Sequence, residues 1–306
     1  MKKNLLNYSA KMLLAASVLT FGLLSCEKNK KKDVVLPPIS GYNNSDEVAK
    51  TNLVGYWSFE GNGNESKTNT APTSSDKATY VDGGVMGKAL NLDGGYLYYA
   101  KALAPLTSNQ GFSVSAWVQA KNNFKGGGAP PLNNFPMSYF QSAIPGQLFG
   151  NITAMIESGQ YAIASDTMIL KSIYKDKGGG TQDNINNYGD PGDFGYVKKA
   201  GTSQWVNVIT TYSPTGGAGT ESIFRIYADS VMVSNKKFEN RRAASFQYSP
   251  NEIIIGGWYN NIPGKTVSSD TWTMPFTGKI DEIRVWNKTL TEAEIIAIYK
   301  LGKAGR

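Results

Sequence analysis

Histidine is absent from the 306-residue chain, and cysteine occurs once. Without histidine, neither a Ser-His-Asp nor a Cys-His catalytic arrangement can form, and the commonest zinc ligand is missing. A single cysteine excludes disulfide bonds within the chain and argues against a cysteine-based metal site. Any catalysis would therefore depend on carboxylates, tyrosine or lysine.

Long apolar runs are also scarce. The longest, Met12–Leu24, is shorter than the stretch of about 20 residues that a membrane-spanning helix needs. It follows Lys2, Lys3 and Lys11, an arrangement typical of a cleavable signal peptide. The formal net charge is only +7, and these three lysines contribute to it, so the sequence does not indicate a nucleic-acid-binding surface.

The apolar run ends in Leu23-Leu24-Ser25-Cys26, which resembles the lipobox of bacterial lipoproteins, of the Bacteroidetes type. The resemblance implies that the Cys26 thiol receives a diacylglyceryl group and that the chain is cut just before it. We therefore expect residues 1–25 to be a signal peptide and the mature protein to be lipid-anchored at the outer membrane, on its cell-surface or periplasmic face. The alternative is an ordinary secreted protein with a chance cysteine.

Residues 26–51 are charged near the start and then contain Pro37-Pro38 and Gly41, so the sequence predicts a flexible tether. Residues 52–302 read as one domain of short strands separated by Gly, Asn, Pro and Asp clusters. The predicted strands are Leu53–Phe59, Lys88–Leu92, Tyr96–Tyr99, Phe112–Gln119, Ile152–Ile156, Thr167–Tyr174, Trp205–Tyr212, Ser222–Tyr227, Ser230–Ser234, Glu252–Gly256 and Phe276–Trp286. Two long loops are predicted at Lys121–Gly150 and Asp176–Gly201.

One helix is predicted, after a capping box formed by Thr291 and Glu294 near the C-terminus. Many strands with one short helix, and no alternation of strands and helices, predict an all-β antiparallel two-sheet jelly-roll sandwich.

Six segments in order resemble the laminin-G-like, concanavalin A-like jelly-roll domains of bacterial surface proteins. They are Leu53–Asn62, Gly87–Leu97, Phe112–Val118, Trp205–Val208, Phe224–Asp229, and Phe276–Trp286 followed by Leu290–Ile295. The resemblance implies two packed antiparallel sheets in which the first and last strands are neighbours. This class of fold includes lectins, adhesion modules and glycosidases, so the resemblance alone does not fix the function.

A glycosidase needs two carboxylates that flank the sugar bond. The sequence contains no strand of the form E-x-D-x-x-E, and the adjacent Asp281 and Glu282 would point to opposite faces of a strand. We therefore expect a non-catalytic protein.

Strand alternation places Asp281 on the same face as Ile283 and Val285, so its carboxylate needs partners. Two interpretations stay open. Asp281 could accept hydrogen bonds from the first strand, or it could bind a structural calcium ion together with Glu60 and nearby carbonyl oxygens.

Aromatic side chains beside amides in loops suit contacts with sugars. The predicted ligand-binding residues are Trp258, Tyr259, Asn260 and Trp272 in the loop after the strand at 252–256, and Tyr139 in the first long loop. Trp57 and Trp205 are predicted to lie in the core, whereas Trp117 shares a strand face with Ser113, Ser115 and Gln119. The expected function is recognition of carbohydrate at the cell envelope. The alternative is an interaction lipoprotein whose partner is an envelope protein.

Overall fold

The computed structural model describes residues 36–101, 111–120, 136–156, 167–176, 178–185, 197–198, 204–214, 222–234, 239, 241 and 252–306. Cys26 and the predicted signal peptide lie outside these residues. The strands are β1 (Leu53–Trp57), β2 (Ser74–Asp82), β3 (Lys88–Tyr99), β4 (Phe112–Ala120), β5 (Met137–Ala143), β6 (Ile152–Ile156), β7 (Thr167–Met168), β8 (Leu170–Lys175), β9 (Thr181–Ile185), β10 (Val197–Lys198), β11 (Val206–Ser213), β12 (Ile223–Ala228), β13 (Val231–Met232), β14 (Glu252–Ile255) and β15 (Phe276–Trp286). Helix α1 spans Glu292–Lys303, and 3-10 helices span Ser45–Glu47, Lys50–Asn52 and Tyr259–Asn261.

Thirteen of the described strands form one antiparallel sheet. Its order is β13-β12-β11-β4-β15-β3-β14-β5-β6-β8-β9, with β1 beside β15 and β2 beside β3, and β7 pairs with β10 separately. The sheet curls so that its two ends approach: Asn184 of β9 donates from Nδ2 to the Phe224 carbonyl of β12 at 2.7 Å. The predicted all-β jelly-roll class is therefore confirmed, and the first and last strands, β1 and β15, are neighbours.

The main core lies inside the curl and is rich in aromatic side chains. Phe112 stacks on Tyr212 with ring centroids 5.4 Å apart, and Tyr174 and Phe224 meet them edge-on or tilted. These rings come from β4, β8, β11 and β12, so their contacts hold together strands far apart in the sequence. Burial of such large apolar groups is the main stabilising contribution to a domain of this kind.

Helix α1 covers the outer face of β11, β12 and β15 through a second apolar cluster. Ile295, Ile298 and Leu301 on the helix pack with Ile209 and Trp286 of the sheet. The predicted capping box is confirmed: the Glu294 amide donates to Thr291 Oγ1 at 3.3 Å, and the Thr291 amide donates to Glu294 Oε2 at 2.8 Å. Of the helices that the structure describes, none combines the length and the apolar character needed to cross a bilayer.

The predicted tether is too long at its C-terminal end, because the compact unit begins at Pro38 rather than at residue 52. Val48 is only 1% exposed within the cluster under α1, and its carbonyl accepts a hydrogen bond from the Trp286 indole at 3.2 Å. Ser45 Oγ donates to the Arg306 carbonyl at 2.6 Å. The segment has few apolar residues, but one buried valine and side-chain hydrogen bonds to the end of the chain are enough to fix it.

A β-bulge in β15 changes the predicted alternation of this strand. The register against β4 shifts between Asp281 and Arg284, and Glu282 has a positive φ of 52°. As a result Ile280 joins Ile283 and Val285 in the main core. Asp281 does not share their face, so this part of the sequence interpretation was wrong.

Candidate functional site

Most of the aromatic residues predicted to bind ligand are structural. Trp258 is 0% exposed, meets Trp272 edge-on at 5.4 Å, and donates from Nε1 to the Met274 carbonyl at 3.1 Å. Tyr139 is 1% exposed in the main core, and burial raises the pKa of its hydroxyl, which is hydrogen-bonded to Thr210. Neither side chain has a surface to offer a ligand.

The remaining members of that predicted site hold a loop in place. Tyr259 is buried with Ile262 over β3 and β14. Asn260 donates from Nδ2 to Ser268 Oγ at 2.9 Å and accepts the Val267 amide at 2.9 Å. Trp272 is partly exposed but packs with Phe149 at 6.2 Å. The structure therefore brings Trp258 and Trp272 together as packing partners rather than as a sugar platform.

The predicted calcium ligands, Glu60 and Asp281, instead cap the turn between β2 and β3. Asp281 Oδ2 accepts the Val85 amide at 2.7 Å and the Met86 amide at 3.2 Å, and Oδ1 accepts the Glu282 amide at 2.9 Å. Glu60 accepts the Lys88 amide at 3.1 Å and 3.2 Å.

This arrangement does not suit a cation. Calcium needs six to eight oxygen ligands, but both carboxylates here face backbone N–H donors, which repel a positive ion. Among the described residues, no group of three acidic, cysteine or histidine side chains could hold a metal. The hydrogen-bonding interpretation of Asp281 fits the geometry, although two of its donors come from the β2–β3 turn and the third from β15 itself, rather than from the first strand.

Burial, with a smaller contribution from neighbouring Glu282, raises the pKa of Asp281 to about 8. Because this value lies above the ordinary value of about 3.9, the folded state binds the proton more tightly than the unfolded state. The contribution of this bound proton to the stability of the folded state is complete below about pH 4 and is lost as the pH rises through about 8.

We expect Asp281→Asn, which cannot titrate, to lose less thermal stability than the wild type between about pH 5 and about pH 9. Calorimetric Tm curves that run parallel in the two proteins would contradict this.

A different cleft, about 390 Å³ in volume, opens on the outer face beside the end of α1. We call it the aromatic cleft. Its walls are Trp117 of β4, Trp205 before β11, Tyr299 and Lys303 of α1, the Asp229 turn, and the β2–β3 turn at Gly84-Val85.

The aromatic rings of this cleft are arranged by close packing between α1 and β4. Trp117 is 4% exposed and lies nearly parallel to Tyr299, with ring centroids 5.9 Å apart and an interplanar angle of 18°. The contact requires glycine at position 302, since a Cβ there would lie 2.6 Å from the Trp117 ring. Trp205 and Tyr299 are both partly exposed and present accessible aromatic surface to the cleft.

Polar groups converge on the same cleft. Asp229 lies in the two-residue turn between β12 and β13, where Asp229 and Ser230 both have positive φ, 50° and 67°. The Asn207 amide donates to Asp229 Oδ1 at 3.0 Å and fixes this carboxylate at the rim. The Lys303 ammonium lies 5.9 Å from the centroid of the Tyr299 ring. One acid and one base thus stand beside three aromatic rings.

Sequence reasoning missed this site for two reasons. Trp205 was predicted to be a core residue, which its partial exposure contradicts. For Trp117 the sequence did indicate a position outside the main core, because this residue shares a strand face with Ser113 and Ser115 rather than with the core residues of β4. The sequence alone could not show that α1 places Tyr299 and Lys303 next to it.

A curled antiparallel sheet closed around an aromatic core, with one covering helix, defines the class of concanavalin A-like jelly rolls. The family profile described as "Concanavalin A-like lectin/glucanases superfamily" matches residues 93–296, and the chain belongs to that family. No curated protein matches this sequence.

Solved structures with the same fold include the binding domains of botulinum neurotoxin serotypes G, D and C1. Each has a TM-score of 0.50, with 10%, 12% and 13% sequence identity respectively. The matches cover 82%, 84% and 83% of this chain, but only 51%, 52% and 52% of the other chains. The chain thus spans about half the length of these structures, and at such low identity the likeness concerns the fold alone.

Proposed function

We propose that this protein is a lipid-anchored, non-catalytic module that recognises carbohydrate at the cell envelope. The observation that carries the proposal is the aromatic cleft. Sugars place their apolar C–H faces against aromatic rings such as Trp205 and exchange hydrogen bonds through their hydroxyls with groups such as Asp229 and Lys303. The names of the neurotoxin domains record binding in those proteins, which agrees with a binding use of this fold.

The cleft supports binding better than hydrolysis. Glycoside hydrolysis by the common mechanisms needs two carboxylates across the scissile bond. Among the described residues that line the aromatic cleft, Asp229 is the one acid. Asp281 and Glu282 are both buried beneath other groups, so they offer no pair to a substrate.

A polysaccharide screen tests this function. The full chain carrying Cys26→Ser, which removes the anchor, is run through native gels that contain neutral or acidic polysaccharides. We expect retardation by at least one polysaccharide and no release of reducing sugar from it. Release of reducing sugar would contradict the non-catalytic role. Failure of every polysaccharide to retard the chain would favour the alternative partner, an envelope protein.

The lipid anchor is tested separately at Cys26. We expect the wild type to sediment with membranes and to incorporate labelled fatty acid, whereas Cys26→Ser incorporates none, because a thioether-linked lipid can no longer form. Ser25→Ala, which keeps a small residue before the cysteine, is the matched control and should remain anchored. Absence of label from the wild type, or equal labelling of Cys26→Ser, would remove the anchor from the proposal. Protease treatment of intact cells then distinguishes a cell-surface from a periplasmic location.

A further inference from the structure

The turn between β2 and β3 forms one wall of the aromatic cleft. Gly84 and Val85 of this turn line the cleft, and both are partly exposed. Among the described residues of that lining, Val85 has the one branched aliphatic side chain. Such a side chain cannot bond to a sugar hydroxyl, but it can pack against C–H groups at the edge of a sugar ring. The turn is therefore placed for direct contact with a ligand.

The strand pairing of the hairpin does not fix this turn. The register between β2 and β3 ends at Asp82 and Lys88, so the residues between them lie beyond the ladder. The amides of Val85 and Met86, at the tip of the hairpin, need acceptors from elsewhere. Without acceptors the turn would exchange among several conformations, and ordering it would reduce the free energy of ligand binding.

Asp281 of β15 supplies these acceptors. Its Oδ2 accepts the Val85 amide at 2.7 Å and the Met86 amide at 3.2 Å. Asp281 is 0% exposed and pairs with Trp117 in the register of β15 with β4, so it lies in the sheet beside the buried tryptophan of the cleft. Asp281 is not part of the cleft lining. It can therefore act on a ligand only through the turn.

The turn lies in close contact with this carboxyl group, and glycine at position 84 permits the contact. A Cβ at Gly84 would lie 2.8 Å from Asp281 Oδ2 and 2.4 Å from the Lys88 carbonyl oxygen. The end of α1 lies beside the turn, since a Cβ at Gly305 would meet the Val85 carbonyl oxygen at 3.9 Å. Val85 is thus held between Asp281 and the helix end that forms the neighbouring wall.

We propose that the β2–β3 turn is a ligand-contacting wall of the aromatic cleft and that Asp281 is the positioning residue that holds this wall in its binding conformation. Asp281 acts through the Val85 and Met86 amides and does not itself touch the ligand. The inference rests on the proposed carbohydrate-binding function and adds the group that prepares the site. Its consequence is that a fully buried side chain controls the affinity of the cleft.

Gel retardation and amide hydrogen exchange of the Cys26→Ser chain test the inference. The probes are laminarin, xylan, galactomannan and polygalacturonate, and the one that retards the chain most is used in both measurements. We expect Asp281→Ala, at a temperature where it is folded, to weaken binding by about tenfold or more, because two turn amides lose their acceptor. Exchange of the Val85 amide should become faster by about tenfold or more.

Asp281→Asn separates positioning from a general loss of structure. It keeps a carbonyl oxygen that can accept the Val85 and Met86 amides, so it should recover most of the affinity and of the slow exchange. In the chain with native Asp281, saturation with the polysaccharide should slow exchange of the Val85 amide further, because the ligand binds the ordered turn and not the open one. A wall with only a structural role would show no such effect of ligand.

Asp176→Ala is the matched control. Asp176 Oδ1 also accepts two turn amides, from Gly178 at 2.8 Å and from Gly180 at 2.9 Å, but this turn does not line the aromatic cleft. We expect this variant to keep the affinity of the parent chain and its exchange rate at Val85. Val85→Ala, which shortens the wall itself, should weaken binding by about fivefold.

Gly84→Ala replaces Asp281→Ala if that variant does not fold, because its added Cβ displaces the turn from the same carboxyl group. Unchanged affinity in Asp281→Ala or in Gly84→Ala, or an Asp281→Asn variant as weak as Asp281→Ala, would overturn the positioning role. Unchanged affinity in Val85→Ala, or exchange at Val85 that the polysaccharide does not slow, would overturn the contact with the wall. These outcomes leave sugar binding intact, whereas failure of every probe to retard the parent chain would overturn the proposed function.

Discussion

Replacement of Trp205 by alanine is expected to weaken carbohydrate binding by about 30-fold or more. Trp205 is the partly exposed tryptophan of the cleft, whereas Trp117 is only 4% exposed and is held against Tyr299 and Gly302 by packing. Truncation of an aromatic anchor at a binding site typically costs about 2 kcal/mol or more, and 1.4 kcal/mol corresponds to a tenfold change in affinity. The measurement is calorimetric titration with the tightest polysaccharide from the gel screen. Trp205→Phe should keep part of the affinity, since an aromatic face remains.

Trp272→Ala is the matched control for this prediction. Trp272 is also a partly exposed tryptophan, but it packs with Phe149 and Trp258 away from the aromatic cleft. We expect its loss to lower stability and to leave the affinity unchanged at a temperature where the variant is folded. The opposite pattern, in which Trp272→Ala loses binding and Trp205→Ala keeps it, would return the site to the 258–272 loop and refute our assignment.

The second large effect is expected at Arg284, whose side chain is 3% exposed. Its guanidinium contacts the Glu282 carboxylate at 2.5 Å and Asp46 at 2.8 Å, and it lies 4.2 Å from the centroid of the Tyr56 ring. The Tyr56 hydroxyl donates to Glu282 Oε1 at 3.0 Å. Burial raises the pKa of Glu282, and the arginine opposes that effect.

We expect Arg284→Ala to lower the free energy of unfolding by about 3–5 kcal/mol, because it leaves Glu282 buried without its positive partner. Urea denaturation of the Cys26→Ser chain measures the change. Lys288→Met is the control: its pair with Glu294 at 2.8 Å is more exposed, and such pairs contribute at most about 1 kcal/mol. Similar losses in the two variants would show that the buried cluster has no special role. The double variant Glu282→Met with Arg284→Met should recover part of the loss, since no lone charge remains.

The sequence was most informative where an element is defined by residues close together in the chain. The strand at 276–286 was predicted with the bounds that the structure has, and the start of the capped helix after Thr291 was predicted correctly, because both combine apolar periodicity with clear end signals. β2, in contrast, was missed. Its residues are mostly exposed, so this edge strand lacks the alternation by which a strand is recognised. β5 was missed because its neighbours in the sequence are rich in glycine and proline, although every one of its residues is buried.

The candidate site was less predictable because it depends on long-range contacts. The loop at 258–272 looked exposed, but Gly256 and Gly257 let the chain turn back on the sheet. Gly256 has a positive φ of 78°, and a Cβ there would lie 2.1 Å from the Leu92 side chain. Similarly, the bulge at Glu282 breaks the strict alternation that had placed Asp281 with the core. The bulge leaves no local signal in the sequence, and the turn leaves only its two glycines.

If the protein is lipid-anchored as proposed, the fixed segment before β1 limits how far the domain can lie from the membrane. Attachment of Val48 and Asp46 to the last strand places the start of the compact unit at Pro38. If Cys26 carries the lipid as proposed, the dozen residues from Cys26 to Pro37 connect the lipid to the compact unit. Fully extended, they span at most about 40 Å. Under that proposal, a polysaccharide that meets the aromatic cleft must come within a few nanometres of the membrane surface, so thick outer layers of the envelope would lie beyond its range.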